Sequence, residues 1–525
     1  MTQALRLDTK RMRQPSTVPQ PACGYPALGA LLVVLVCLSF PSGLTAQQPA
    51  PPATPQASST NTAREPLRIG RVTLSGSLRG RAENWSWFET PGAEDAYTFG
   101  AFQLRLSLEQ KTDRFDWQVE AIFPVLINLP TGAVRPPPEG QLGLGGSYFA
   151  ASGRQDASAV FRQGFVRFKR IFGDPASSLR LGRFEFSDGA EATPPDPTLA
   201  ALKRTRIAQR IIGPFGFSHV GRGFDGVQYV RNAKSNNFTF LAARPTEGVF
   251  QLRSLHELDV DFYYGAFTRQ FSQDKAKSEL RVFALHYHDG RRVLKTDNRP
   301  QAIRAADVRN IRLTTLGAHY LGVFGKGPGK TDLLLWGVSQ FGHWGVLNHR
   351  AGAIAIEGGY QFPAAWKPWV RAGYFRSTGD GNPNDGKHTT FFQVLPTPRV
   401  YARFPFYNLM NNQDLFGELR LKPVKKLSLR TEVRYLRLSN RQDLWYAGGG
   451  AFQKQTFGYV GRPSNGRSGM GTLFDLSIDY ELTSKTDLGF YFGGVRGGGV
   501  QAAIYPAGGS HPGARLLYFE FLQRF

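Results

Sequence analysis

From about residue 69 onward the chain repeats a period of two. Phe102, Leu104, Leu106 and Leu108 alternate with Gln103, Arg105, Ser107 and Glu109. Leu427, Leu429, Thr431 and Val433 alternate with Ser428, Arg430, Glu432 and Arg434, and Phe474, Leu476, Ile478 and Tyr480 with Asp475, Ser477, Asp479 and Glu481. That period belongs to a β-strand with one apolar and one polar face, which a soluble sandwich and a membrane barrel share. Loop length separates the two. About 18 strands begin near Ile69, Tyr97, Arg114, Ala159, Ser178, Gly223, Asn237, His256, Ser278, Asn310, Lys330, Ala351, Lys367, Gln413, Lys426, Gly471, Thr486 and Gly513, each about as long as a tilted membrane strand. Alternate connections are tight and polar: Lys111-Thr112-Asp113, Gly173-Asp174-Pro175, Ala233-Lys234-Ser235, Asp274-Lys275-Ala276, Gly325-Lys326-Gly327-Pro328, Lys422-Pro423-Val424-Lys425 and Ser484-Lys485-Thr486. Those between are often long, around 125–157, 186–222, 291–309, 377–412 and 440–470. Sorting of this kind predicts an all-β fold, a transmembrane antiparallel up-and-down β-barrel with short periplasmic turns and long extracellular loops. A sandwich has no reason to sort its loops.

Composition agrees where it is needed. Aromatic residues make up 13% of the 525 residues and there are 2 cysteines, which excludes a disordered chain and a disulfide scaffold. A mean hydropathy of −0.30 excludes a bundle of membrane helices but allows a barrel, where one side chain in two meets lipid.

The first 46 residues are an export address. Lys10, Arg11 and Arg13 precede an apolar run from Ala27 to Phe40, and Leu44-Thr45-Ala46 offers a cleavage point before Gln47. The run is too short for a spanning helix, which needs roughly 20 residues. Residues 1–46 are therefore expected to be a cleaved signal peptide, 47–66 a flexible Pro/Ser/Thr-rich lead-in and 67–525 the barrel of a bacterial outer membrane. Cys23 and Cys37 both fall in the removed segment, so cysteine chemistry is excluded from the exported chain. The full chain carries +24; the signal takes four basic residues and one acid with it and leaves +21 on the rest. Phe525 ends a last strand whose Leu517, Phe519 and Phe521 share one face, interrupted by Gln523. An aromatic end of this kind resembles the signal read by barrel-assembly machinery, an expected partner together with outer-membrane lipid and lipopolysaccharide.

With apolar positions toward lipid, the alternate set faces the lumen. It includes Arg71, Arg79, Arg81, Arg105, Arg167, Lys169, Arg371, Arg420, Arg430 and Arg434, with Glu83, Asp259, Asp261, Glu418, Glu432 and Asp475 among them. Confined guanidinium groups draw anions and hold carboxylates as bidentate partners, whereas paired ones merely staple strands. Base exceeds acid, so an anion-selective channel is expected.

Enzyme chemistry finds no frame. No G-x-S-x-G or H-E-x-x-H occurs. His286 and His288 share a strand face without an evident third ligand, and Asp380 to Gly386 departs from EF-hand spacing with Phe391 at position twelve. Gly325 to Lys330 looks like a phosphate loop but precedes no helical pattern. No cofactor, metal or nucleic-acid partner is expected.

Three segments carry a family resemblance. Leu181-Gly182-Arg183-Phe184-Glu185 is followed by Arg210-Ile211-Ile212-Gly213 and Gly223-Phe224-Asp225-Gly226-Val227. Gly379-Asp380-Gly381-Asn382-Pro383, Asp385-Gly386 and Thr390-Phe391 come next, before Asn412 and Leu415. The Lys422-Pro423 turn and the Leu427-Ser428-Leu429 strand complete the set. In this order they resemble the alginate export family of outer-membrane β-barrel channels. The resemblance implies a narrow bore that passes an anionic polysaccharide, an alginate-like polyuronate, or related anionic solutes, with Arg79, Arg81, Arg105, Arg183, Arg210, Arg371, Arg420 and Arg434 as its anion-conducting residues, to which alternation adds Arg430. It also implies a periplasmic helical-repeat export scaffold as partner. The alternative is a general anion-selective porin with no polymer role. Alternation places Arg183 with Leu179 and Leu181, so its entry into the bore requires a bulge. Thr483-Ser484-Lys485-Thr486 is tight where the family pattern has a long periplasmic loop, which moves the expected lid to 125–157.

Overall fold

The computed structural model describes residues 67–325 and 327–525. The expected signal peptide and lead-in, 1–46 and 47–66, lie outside the described residues. Eighteen strands build one wall. The first six are β1 (Val72–Ser86), β2 (Ala96–Lys111), β3 (Phe115–Ile127), β4 (Val160–Lys169), β5 (Ser177–Phe184) and β6 (Phe224–Asn232). The next six are β7 (Asn236–Pro245), β8 (Val260–Gln273), β9 (Ala276–Asp289), β10 (Ile311–Phe324), β11 (Lys330–Trp344) and β12 (Leu347–Gln361). The last six are β13 (Trp369–Ser377), β14 (Asn412–Val424), β15 (Leu427–Leu438), β16 (Gly469–Thr483), β17 (Thr486–Gly497) and β18 (Gly513–Arg524). The strands expected from alternation begin within four residues of these.

Each strand runs antiparallel to the next, and β18 returns to β1, from Ser77 opposite Arg524 to Ser86 opposite Arg515. Closure is required because a sheet edge in lipid leaves a row of backbone N–H and C=O groups without partners. The outward face bears Leu78, Phe102, Val119, Phe240, Phe267, Leu335, Ile356 and Phe519, all exposed. Short turns lie at one end and long loops at the other, with one exception: Gly345-Val346 joins β11 to β12 tightly on the long-loop side.

The seam has a tight point. Gly76 exchanges both backbone hydrogen bonds with Phe525, at 3.2 and 3.0 Å. A Cβ at Gly76 would lie 2.5 Å from the Phe525 ring and 2.6 Å from the Arg105 carbonyl oxygen of β2. The ring can turn aside; the carbonyl cannot without moving β2. Gly76→Val is expected to cost about 1–3 kcal/mol through overpacking. The check is the temperature at which the folded band converts to the unfolded one on SDS gels, which falls if the seam is this tight and holds if it is not.

Candidate functional site: the bore and its infolded loops

The inward face changes character along each strand. On β1 it reads Arg79, Arg81 and Glu83, then Trp85; on β15, Arg430, Glu432 and Arg434, then Leu436 and Leu438. On β9 it reads Glu279 and Arg281, then Phe283, Leu285 and Tyr287. All of these are buried. Toward the long-loop end the inner face of the wall is thus largely apolar. It packs Trp85, Phe88, Phe392, Phe404, Phe406 and Trp445 into one cluster drawn from wall and loops.

Two long loops, 185–223 and 378–411, fold inward and join each other. Ile212 and Leu395 form a parallel bridge, with Leu395 N donating to Ile211 O at 2.8 Å and Gly213 N to Leu395 O at 2.8 Å. Apart from Lys387-His388, which pair in parallel with Asn348 and His349 of β12, these loops have no ladder with the wall to satisfy their backbone, and wall side chains supply donors instead. Arg79 donates to the carbonyls of Gly216 and Ser218, each at 2.7 Å, Arg81 to that of Phe217, and Gln103 to that of His219 at 2.6 Å. Arg222, itself on the loop, donates to the carbonyls of Pro396, Gly449 and Ala451. The loop 128–159, which holds most of the expected lid 125–157, packs over this assembly. Its helix Gly143–Ser152 carries Tyr148, whose hydroxyl accepts from His219 N at 2.8 Å. The loops that enter the bore are therefore 185–223 and 378–411, with 128–159 above them.

Charged pairs anchor the loops as well. Glu357 on β12 is the hub: Arg206 and Arg210 reach it from the loop at 2.7 and 2.9 Å, and Arg371 from β13 at 3.1 Å. Lys203 meets Glu279 at 2.6 Å and Glu191 meets Arg281 at 2.8 Å. Burial pushes Arg210 down to about 10 against the pull of Glu357, and pushes Arg222 down to about 9. It also lifts Asp188, which accepts from Ile211 N and Ile212 N, up to about 6.

The arginines expected in the bore divide into groups. Arg81 pairs with Glu83 at 3.0 Å, Arg105 with Glu120 at 3.1 Å and Glu185 at 3.4 Å, and Arg371 with Asp332 at 3.1 Å as well as Glu357. Arg420 and Arg430 share Glu418, Arg430 at 2.9 Å, and Arg434 bridges Glu432 and Asp414. Arg79 faces inward with no carboxylate within 4.0 Å among the described residues, and Arg210 belongs to a loop rather than to the wall. Arg183 faces outward. It pairs with Asp225 at 2.6 Å on the side of Leu181, and β5 itself runs in register with β4 and β6 with no bulge. Arg71 is exposed in the turn before β1, and Arg167 and Lys169 both pair with Asp116. His286 and His288 also face outward, hydrogen-bonded to Thr314 and Asp261 respectively.

Three further inward cations were not among those expected: Arg180, which lies opposite Leu179 and Leu181 in the alternation of β5, and Arg399 and Arg403 on a loop. Arg180 on β5 lies 4.2 Å from the Phe184 ring and hydrogen-bonds Gln228. Arg399 lies over the rings of Tyr491, Phe217 and Tyr518 at 4.1, 4.6 and 5.0 Å, and Arg403 donates to Ser477. Arg180, Arg399 and Arg403 are half-buried and have no carboxylate within 4.0 Å among the described residues. Arg399 and Arg403 sit in a segment assigned to an outer loop, where a period of two says nothing about direction. Asp479 and Glu520 face the same part of the bore, with Glu520 3.6 Å from Arg81.

The chain matches the model of the alginate export family over residues 141–500 and belongs to that family. No curated protein matches it. Among solved structures it is similar to a BenF-like porin from Pseudomonas fluorescens Pf-5, at 9% identity and a TM-score of 0.52, covering 86% of this chain and 99% of that one. Acinetobacter baumannii OccAB4 is similar at 8% identity and a TM-score of 0.51, covering 87% and 99%. Pseudomonas aeruginosa OccK2 (OpdF) follows at 10% and 0.51, covering 86% and 98%. At such identities the likeness is one of fold. Family and fold together make the chain an outer-membrane channel.

The hub at Glu357 yields a test. Glu357→Ala leaves Arg206, Arg210 and Arg371 without their shared carboxylate, and breaking one side of a buried pair costs about 3–5 kcal/mol. The backbone ladder of the wall does not use this side chain, and Arg371 keeps Asp332 as a partner. The barrel is therefore expected to keep its folded gel mobility while loop 185–223 becomes more open to protease and single-channel conductance rises. Unchanged protease protection would show that the loop is held by its apolar contacts instead.

Proposed function

We propose that this channel passes an anionic polysaccharide, an alginate-like polyuronate, or related anionic solutes across the outer membrane. One observation carries the reading. In a bore where most charges are matched, Arg180, Arg399 and Arg403 are half-buried cations without carboxylate partners. Aromatic rings hold Arg399 by cation–π contact without neutralising it, so its guanidinium keeps its capacity for a carboxylate. A passing carboxylate would exchange water for these donors at low electrostatic cost, then leave toward the next, which is what conduction requires of a site. Asp479 and Glu520 limit residence by repelling the same ligand. Family membership supports the polymer as cargo. The infolded loops support the alternative of smaller anions, since they share the bore's cross-section at mid-height.

The test is reconstitution in a planar bilayer, with the reversal potential recorded in a salt gradient and oligouronate then titrated in. Anion preference with uronate-dependent block is expected, with block weakened about tenfold by Arg399→Ala plus Arg403→Ala, the loss of two charge-assisted contacts. Arg81→Ala is expected to act differently, by freeing the Phe217 carbonyl and making the open current noisier. Anion preference without block would leave the general anion porin. Cation preference would sink both.

A further inference from the structure

The outer rim carries a second set of arginines that the channel reading does not use. On each strand of β10 to β17 the outward face can be read from burial: Arg312 stands between buried Ile311 and Leu313, Arg376 between Phe375 and Ser377, Arg437 between Leu436 and Leu438, and Arg496 between Val495 and Gly497. Arg350 follows buried His349 on β12. All five are exposed and all lie at the long-loop end of their strands. Cross-strand register makes them a row: Arg376 is opposite Gln413, which is opposite Arg437; Arg496 is opposite Thr472, itself opposite Tyr435; and Arg312 is opposite His343, itself opposite Asn348. Residues two strands apart in such a row lie about 10 Å from one another. Just below them, toward the middle of the wall, the same face bears Phe341, Ile354, Tyr374, Tyr435 and Phe474, each exposed.

Their partners distinguish this arc from the rest of the rim. At the long-loop end of β5 to β8 the outward arginines of the strands are neutralised, Arg183 by Asp225 at 2.6 Å and Arg244 by Asp261 at 2.6 Å. Along β10 to β17 none of the five has a carboxylate within 4.0 Å among the described residues. Arg515 on β18 extends the arc but shares a recess with Glu89 and Asp95. Five exposed guanidinium groups in a row repel one another, and an uncompensated row of this kind at the edge of an apolar band is placed for anionic headgroups. The level is that of the outer leaflet, above an aromatic girdle, where the headgroups carry phosphate. Guanidinium binds phosphate bidentately and with directed hydrogen bonds.

We propose that the β10–β17 arc is a lipopolysaccharide-binding shelf, in which Arg312, Arg350, Arg376, Arg437 and Arg496 hold the phosphates of lipid A while the apolar face beneath them meets its acyl chains. The shelf lies outside the bore and does not depend on what the channel carries.

The test uses the full mature chain in detergent, with bisphosphorylated lipid A as probe and retention measured by native mass spectrometry. In the variant R350Q/R376Q/R437Q/R496Q retention is expected to fall by about tenfold or more, four surface charges being lost together. R231Q/R244Q, which removes two outward arginines already paired with Asp174 and Asp261, is expected to retain lipid A as the parent does. Dephosphorylated lipid A should bind parent and quadruple variant equally weakly. Folded gel mobility and single-channel conductance should be those of the parent for every variant. Equal retention by the quadruple variant would overturn the proposal. So would displacement of lipid A by equimolar phosphatidylglycerol, which would make the arc a general anionic-lipid surface.

Discussion

The structure depends on one constraint: in lipid, every backbone N–H and C=O must find its partner within the wall. Closing β18 onto β1 meets it, but a ring of this many strands encloses more space than its own side chains can fill. The remaining interior must hold water or chain. Here much of it holds chain, because loops 185–223 and 378–411 turn back into the bore and pair through Ile212 and Leu395. Filling creates the next problem, since an infolded loop brings backbone carbonyls away from water with no ladder to receive them.

Arginine solves that problem, and this explains why so many arginines face inward. Its five donors in a rigid fork can serve two carbonyls at once, as Arg79 does for Gly216 and Ser218. Lysine, a point charge on a flexible stem, would order less of the loop per contact. Carboxylates on the wall do the converse for loop cations, and Glu357 takes two of them together with Arg371. The same side chains that make the bore basic by composition are thus the ones that hold its contents in place. A buried arginine satisfied by a carbonyl or a carboxylate is a tether; only one that keeps an unmatched face toward water is available to a passing ion.

This distinction sets what was legible in the sequence. Strand number, strand starts and the sorting of turns from loops follow from a period of two and from glycine, proline and lysine at the turns, all local features. Arg81, Arg105, Arg371, Arg420, Arg430 and Arg434 were placed on the inward face by the same rule. Their partners Glu83, Glu418 and Glu432 were placed with them, but Glu120, Asp332 and Asp414 were not, since these lie on other strands and register is a property of the closed ring. Arg183 shows the rule outperforming the resemblance: alternation put it with Leu181, and it is there, paired with Asp225 on the outer side. Arg399 and Arg403 lay beyond both arguments. Loop residues have no period, and nothing local tells a loop that hangs outward from one that enters the bore.

The chain's net charge of +24 therefore has no single meaning. Part of it is structural, spent on loop carbonyls at Arg79 and Arg222, where the charge is incidental to the fork of donors. Part sits half-buried at Arg180, Arg399 and Arg403, where the surrounding rings and amides leave it unneutralised. A third part faces away from the bore altogether, along β10 to β17, where no carboxylate meets it. A net charge read from composition predicts the first of these as well as the others. What separates them is the direction in which each guanidinium points and whether an oxygen of the protein is already within reach, and both are set by closure of the barrel rather than by the residue.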